Sequence, residues 1–150
     1  MAKMAAFGQI IAVSSFYETQ PVDLIDQPWF VNCAAALETE LTPQELMAAI
    51  LRLEEELGRR RLARKGPRTI DIDMLLAGGT VVNEPGLTLP HPAMQQRRFV
   101  LEPLAEIAPD AVHALLHHTV RELLEGLPEG QAVRKIAREG RQALEPNGTG

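Results

Sequence analysis

The sequence predicts an α+β fold, with helices packed on one face of a mostly antiparallel sheet. A stretch rich in β-branched and aromatic residues and a second that reads as extended come first, a long helix with both ends marked follows, and another strand-like run comes after it. At 150 residues and 45% hydrophobic composition, the chain can build one core of ordinary size. A net charge of −5 does not suit a protein that coats nucleic acid, and no uninterrupted apolar stretch is long enough for a membrane helix. Met1 to Ala12 carries one lysine but no apolar core leading to a small-residue cleavage site, so no secretory signal is expected. Cys33 is the single cysteine, which excludes an intrachain disulfide and suits a reducing cytoplasm. Beside alanines it reads as a buried structural thiol, with a reactive one as the alternative.

The elements follow in order. AKMAAFG reads as the end of a helix stopped by Gly8. QIIAVSSFYET (9–19) and WFVNCAAALETE (29–40) read as paired strands joined by a link that holds Pro21 and Pro28. Thr42, Pro43 and Glu45 supply an N-cap, a first-turn proline and a capping-box acid. Leu46, Ile50, Leu53 and Leu57 then recur at helical spacing, and Gly58 is the expected stop. GRRRLARKGPR (58–68) reads as a polar loop, and Ile70 to Leu76 as a strand that turns at Gly78-Gly79 into a hairpin partner, TVVN. Residues 87–109 contain four prolines and short helical stretches that should wrap the sheet edge. Thr119 and Glu122 form a second capping box opening VRELLEGL. Residues 1–128 are therefore expected to form the domain, with 129–150 a polar tail whose final EPNGTG is disordered.

The chemistry concentrates between residues 59 and 73. Arg59, Arg60, Arg61, Arg64, Lys65 and Arg68 place six cations in ten residues, directly before Asp71 and Asp73. On a strand both aspartates share one face while Ile70, Ile72 and Met74 share the other. This pairing suits a polyphosphate and its metal. Mg²⁺ takes oxygen ligands, usually one or two carboxylates plus substrate phosphates, and arginines hold the remaining phosphate oxygens in bidentate fashion. The alternative is a solvated arginine loop in which the aspartates merely pair with cations.

KGPRTIDIDMLL, LTLPHPAMQQRRFVLEPLAEIAPD and the upstream SSFYETQPVDLIDQPWFVNCAAALET together resemble the 6-hydroxymethyl-7,8-dihydropterin pyrophosphokinases of folate biosynthesis, over residues 9 to about 127. The resemblance implies a ferredoxin-like α/β sandwich that transfers pyrophosphate from ATP to the pterin's hydroxymethyl oxygen and releases AMP. It implies Asp71 and Asp73 as ligands of two Mg²⁺ ions, and Arg59 and Arg68 on the triphosphate. His91 and Arg97 would lie on the nucleotide side, with Met74, Leu87 and Thr88 around adenine. For the pterin it implies Asn32 on the ring edge, Phe30 and Phe99 as the two sandwiching rings, and backbone contacts at Thr19 and Val22. Each has an ordinary alternative: a buried, backbone-satisfied amide for Asn32, core packing for the phenylalanines. Glu54 is expected to support an arginine or to lie on a solvated face. His113, His117 and His118 read as surface histidines, Trp29 as packing or loop surface, and Met47 and Met94 as helix filler.

The sequence departs from the family pattern in three places. The opening strand and Gly-Ser-Asn loop of that pattern are missing from it, which would leave neighbouring strands with unpaired backbone. The arginine loop is one residue shorter than in some relatives, and Lys65 replaces a frequent aromatic. The segments 18–28 and 59–67 are the expected lids. The partners expected are ATP and the pterin, with no nucleic acid, no membrane and a monomeric state. The rival reading is a degenerate, inactive pterin- or nucleotide-binding module. A metal-dependent phosphohydrolase is a weaker rival, with His91 its single candidate base.

Overall fold

A computed structural model describes residues 6–19, 30–63, 71–130 and 132–136, with the side chains of 59–63 outside the description. Among these residues the chain forms β1 (Gln9–Val13), β2 (Tyr17–Thr19), β3 (Phe30–Asn32), β4 (Ala35–Glu38), α1 (Pro43–Ala63), β5 (Val82–Glu84), β6 (Leu87–Leu89), α2 (Arg98–Ile107), α3 (Val120–Glu125) and β7 (Val133–Lys135). All the strand pairs are antiparallel, as an α+β fold of this kind requires.

The two β-rich stretches do pair. β1 lies against β4 and β2 against β3, so 9–19 and 30–38 form one long hairpin bent in the middle. At the bend the Ser14 amide donates to the Ala34 carbonyl at 2.8 Å, and the Ala34 amide donates to Ser14 Oγ at 2.9 Å. A hydroxyl thus takes over where the ladder breaks. Gly8 sits where a Cβ would come within 2.9 Å of Thr39 Cβ and closer still to the Glu38 carbonyl, so only glycine fits beside the end of β4. Residues 1–5, the body of the expected opening helix, lie outside the described residues; Ala6 and Phe7 form one 3₁₀ step.

α1 opens with the expected capping box: the Glu45 amide donates to Thr42 Oγ1 at 3.1 Å and the Thr42 amide to Glu45 Oε1 at 2.9 Å. Ile50 and Leu53 are buried, as the spacing predicts. The helix does not stop at Gly58; its 21 residues run to Ala63, so the start of the expected arginine loop is helical. Glycine without a left-handed φ is only a weak breaker, costing roughly 0.5–1 kcal/mol, and the Arg, Leu and Ala that follow are strong helix formers.

The run 71–77 is not a ladder strand. An extended segment becomes one only beside a neighbour offering backbone groups. Here the Ile72 amide donates instead to the Glu54 carboxylate at 2.6 Å, and the Leu75 carbonyl accepts from the His91 amide at 2.9 Å. Nor is TVVN its partner. Val82–Glu84 pairs with Leu87–Leu89 around Pro85-Gly86, where Gly86 supplies the positive φ of 85° that the tight turn needs.

The core lies around α2. Leu101, Met94 and Val120 are fully buried there with Ala34 and Leu104, and Leu75 and Leu76 pack against them. Met94 is therefore core in a 3₁₀ turn rather than helix filler. The second capping box is present, with Thr119 and Glu122 exchanging side-chain and backbone bonds at the start of α3. β7 comes from the region expected to be a polar tail; it pairs with β2, so the sheet order is β3-β2-β7. A three-residue edge strand needs little apolar content, which is why composition hid it. EPNGTG lies outside the described residues.

His113 also departs from expectation: it is 4% exposed, and its Nδ1 accepts the Leu115 and Leu116 amides at 3.2 and 3.1 Å. His117 and His118 are exposed. Burial, then the charge of His117, lowers the His113 pKa. Below its ordinary value of 6.5 the unfolded chain binds a proton that the folded chain resists, so stability falls as pH drops from there toward the folded pKa and is flat above. Melting temperatures measured across that window should show the fall in the parent chain and a shallower one in His113→Gln.

Candidate active site

Three elements meet at a pocket of about 110 Å³ lined by Asn32, Cys33, Ala34, Asp71, Asp73, Leu75, Phe99, Val100 and Pro103. The 71–77 segment answers why an apolar run tolerates two acids. Its side chains alternate, Asp71 and Asp73 exposed and Ile72 and Met74 half-buried, while Leu75 and Leu76 anchor the segment in the core. Both carboxylates therefore line the pocket while remaining exposed, and the Glu54 bond to the Ile72 amide holds their segment in place. Glu54 thus binds backbone at this site, a contact that residue spacing could not reveal.

β3 brings Asn32 to the opposite wall, where its Nδ2 donates to the buried Thr19 Oγ1 at 3.5 Å, leaving its other polar positions for the pocket. α2 contributes Phe99, Val100 and Pro103. Arg97 lies over the Phe99 ring at 5.7 Å, a cation–π contact that fixes ring and guanidinium together. Cys33 is half-buried rather than sealed in the core, and burial raises its pKa, so it lines the pocket as a neutral thiol.

Of the residues singled out by sequence, the pocket collects Asp71, Asp73, Asn32 and Phe99. Thr19 stands just beneath, fully buried, as support for Asn32. Phe30 is 54% exposed and does not line the pocket. Met74, Leu87, Thr88, His91 and Arg97 lie outside its lining. Leu87 is buried and Thr88 exposed on β6, and the amide of His91 ties that region to the aspartate segment. Arg68, Val22, Trp29 and Lys65 are outside the described residues, as is the side chain of Arg59; of the expected lids, 20–28 and 64–67 lie there too, whereas 59–63 continue helix α1. Cys33, Val100 and Pro103 were not anticipated; Pro103 lies one turn on from Phe99 and Val100, a periodicity that could have found it.

The donor set suits a hard cation. Among the described residues no group of three His, Cys, Asp or Glu could enclose a metal. Two carboxylates on one side of a segment are the usual protein share of a Mg²⁺ site completed by phosphate and water.

Comparison with known proteins points to one family. The family model described as 7,8-dihydro-6-hydroxymethylpterin-pyrophosphokinase matches residues 1–109. A 2-amino-4-hydroxy-6-hydroxymethyldihydropteridine pyrophosphokinase of Methylorubrum extorquens is 49% identical over 123 residues, covering 81% of this chain and 77% of that protein. The enzyme of the same name from Pseudomonas aeruginosa is 49% identical over 102 residues, 68% of this chain and 63% of its own. The folic acid synthesis protein fol1 of Schizosaccharomyces pombe is 40% identical over 126 residues, 84% of this chain but only 17% of that much longer protein. The matched span contains the aspartate segment, both sides of the pocket and the helix that closes it, and on that ground the chain belongs to the 7,8-dihydro-6-hydroxymethylpterin-pyrophosphokinase family.

Proposed function

We propose that this chain transfers pyrophosphate from ATP to the hydroxymethyl group of 6-hydroxymethyl-7,8-dihydropterin, giving AMP and the pterin diphosphate in a cytoplasmic folate pathway. The observation that carries this reading is the meeting of Asp71, Asp73, Asn32 and Phe99, drawn from three separate parts of the chain, in one pocket. In the reaction a bond forms between the hydroxymethyl oxygen and the β-phosphorus of ATP. The bond from that phosphorus to the α–β bridging oxygen breaks, that oxygen leaves with AMP, and the hydroxyl proton passes to solvent.

Asp71 and Asp73 hold Mg²⁺, two ions on this reading. When bound, the metal neutralises phosphate charge and eases loss of the hydroxyl proton. Asn32 reads the pterin edge with an amide that both donates and accepts, and Phe99 covers a ring face. Phe30 on β3 would supply the second ring, with Thr19 and Val22 on the loop side. Arg59 and Arg68 hold the triphosphate. His91 and Arg97 serve the nucleotide, and Met74, Leu87 and Thr88 surround the base.

AMP release from ATP, Mg²⁺ and the chain, with and without the pterin, tests the reading. Pterin-dependent AMP is expected; a folded chain that binds pterin and releases none would leave a binding module. Arg68→Ala should lose roughly 2.7–4 kcal/mol of transition-state stabilisation, as for removal of one preorganised electrostatic donor. Unchanged rate and unchanged ATP affinity would take Arg68 out of the site.

A further inference from the structure

Asn32 and Phe99 face one pocket from different elements, so something must fix the distance between a short strand and a helix. α2 carries Phe99, Val100 and Pro103 into the pocket, and Glu106 follows on the same helical face, three residues past Pro103. Its carboxylate accepts the Tyr17 hydroxyl at 2.7 Å, the Ser15 hydroxyl at 3.1 Å and the Ser15 amide at 3.1–3.2 Å. Tyr17 stands directly opposite Asn32 in the β2–β3 ladder, and two residues along β2 the Thr19 hydroxyl accepts from Asn32 itself. The cluster of Glu106, Ser15 and Tyr17 therefore leads, through the β2–β3 ladder, to the residue assigned to the pterin edge.

The electrostatics agree with a clamp. Burial alone would raise the Glu106 pKa, yet the bonds from Tyr17 and Ser15, together with the charge of Lys135, bring it below the ordinary value. Tyr17 moves the opposite way: burial, then its bond to the carboxylate, raises the phenol. Each partner is held in the form that keeps the bond. Hydrogen bonds to an ionised acceptor are shorter and stronger than neutral ones, so this junction is stiffer than apolar packing between the same elements would be.

From this geometry we infer that Glu106 is a positioning residue: by binding Ser15 and Tyr17 it fixes the gap between Asn32 and Phe99, and so sets affinity for the pterin without touching it. The inference rests on the pterin reading of the pocket. Small misplacements of binding groups are costly in rate and affinity. Glu106→Ala should accordingly raise KM for 6-hydroxymethyl-7,8-dihydropterin about tenfold while KM for ATP and kcat stay within about twofold. Glu106→Gln, which keeps the volume and one acceptor, should fall between. Tyr17→Phe, a milder change should Glu106→Ala fail to fold, should raise the same KM by a smaller factor. Fluorescence titration with oxidised 6-hydroxymethylpterin should show the same order of affinities without turnover. A merely structural role would lower the melting temperature or the active fraction, leaving pterin KM and titrated affinity unchanged in every variant that folds, and that result would overturn the inference. A parent chain that neither turns over nor binds pterin would instead overturn the reading of the pocket.

Discussion

Asp73→Ala and Asp71→Ala are expected to cut turnover by several powers of ten while leaving the fold and most pterin affinity intact. Both carboxylates are exposed, so neither contributes buried packing that its loss could collapse. The segment that carries them is held by other means: Leu75 and Leu76 in the core, and the Ile72 amide on Glu54. What alanine removes is the anionic face of the pocket. The cation that would balance charge on the transferring phosphates then loses its fixed ligands, and such preorganised stabilisation is usually the largest contribution to catalysis. AMP release at saturating ATP measures the loss, and pterin titration and thermal melting check that the variants remain folded. Normal turnover by either variant with Mg²⁺ as the sole metal would overturn the two-metal assignment.

The largest effect on stability should come from Leu101→Ala. Leu101 is fully buried at the centre of the cluster formed with Met94, Leu104, Val120 and Ala34. Truncating a leucine there removes its transfer free energy and leaves a cavity that α2, fixed by contacts on several sides, cannot fully close. The cost is about 2–5 kcal/mol, a large share of a typical margin of about 5–15 kcal/mol. Urea denaturation should show the midpoint falling with little change in slope. Leu116→Ala is the control: at 41% exposed, that side chain should tolerate the change with little loss. Equal effects at the two positions would mean that α2 does not organise the core.

Much of this architecture was legible where one local signal decides the outcome. Both capping boxes form because a hydroxyl and an acid three residues apart satisfy each other's backbone amides regardless of what packs nearby. The pairing of the two extended stretches followed from their composition and the proline-bearing link between them; the bend at Ser14 did not. The failures occurred where the decision is made at a distance. Gly58 reads as a stop, yet nothing in α1 requires a left-handed φ there. The aspartate run has strand composition but gains its backbone partners from Glu54 and His91, separated from it by 18 residues in one case and a whole hairpin in the other. His113 looks like a surface residue until the following leucine amides fold back onto its ring. Within the pocket, the charge pattern drew attention to Asp71 and Asp73, while Asn32 and Phe99 were picked out only because they match the family's motif positions. Cys33, Val100 and Pro103 are ordinary apolar neighbours whose placement appears only once α2 is set against β3.

β2 is the middle strand of its sheet, with β3 on one side and β7 on the other. One edge of this strand holds Asn32 in register; the other is closed by Val133–Lys135, and the Ile136 amide extends the contact to the Phe16 carbonyl at 2.9 Å. A truncation after residue 128 would therefore do more than trim a polar end. It would turn a central strand into an edge, strip Glu18 of its Arg134 partner at 2.9 Å, and expose backbone groups one strand away from the pocket wall. Shortened versions of this chain should be cut beyond Ile136, and a fusion partner joined nearer than that would be felt at Asn32.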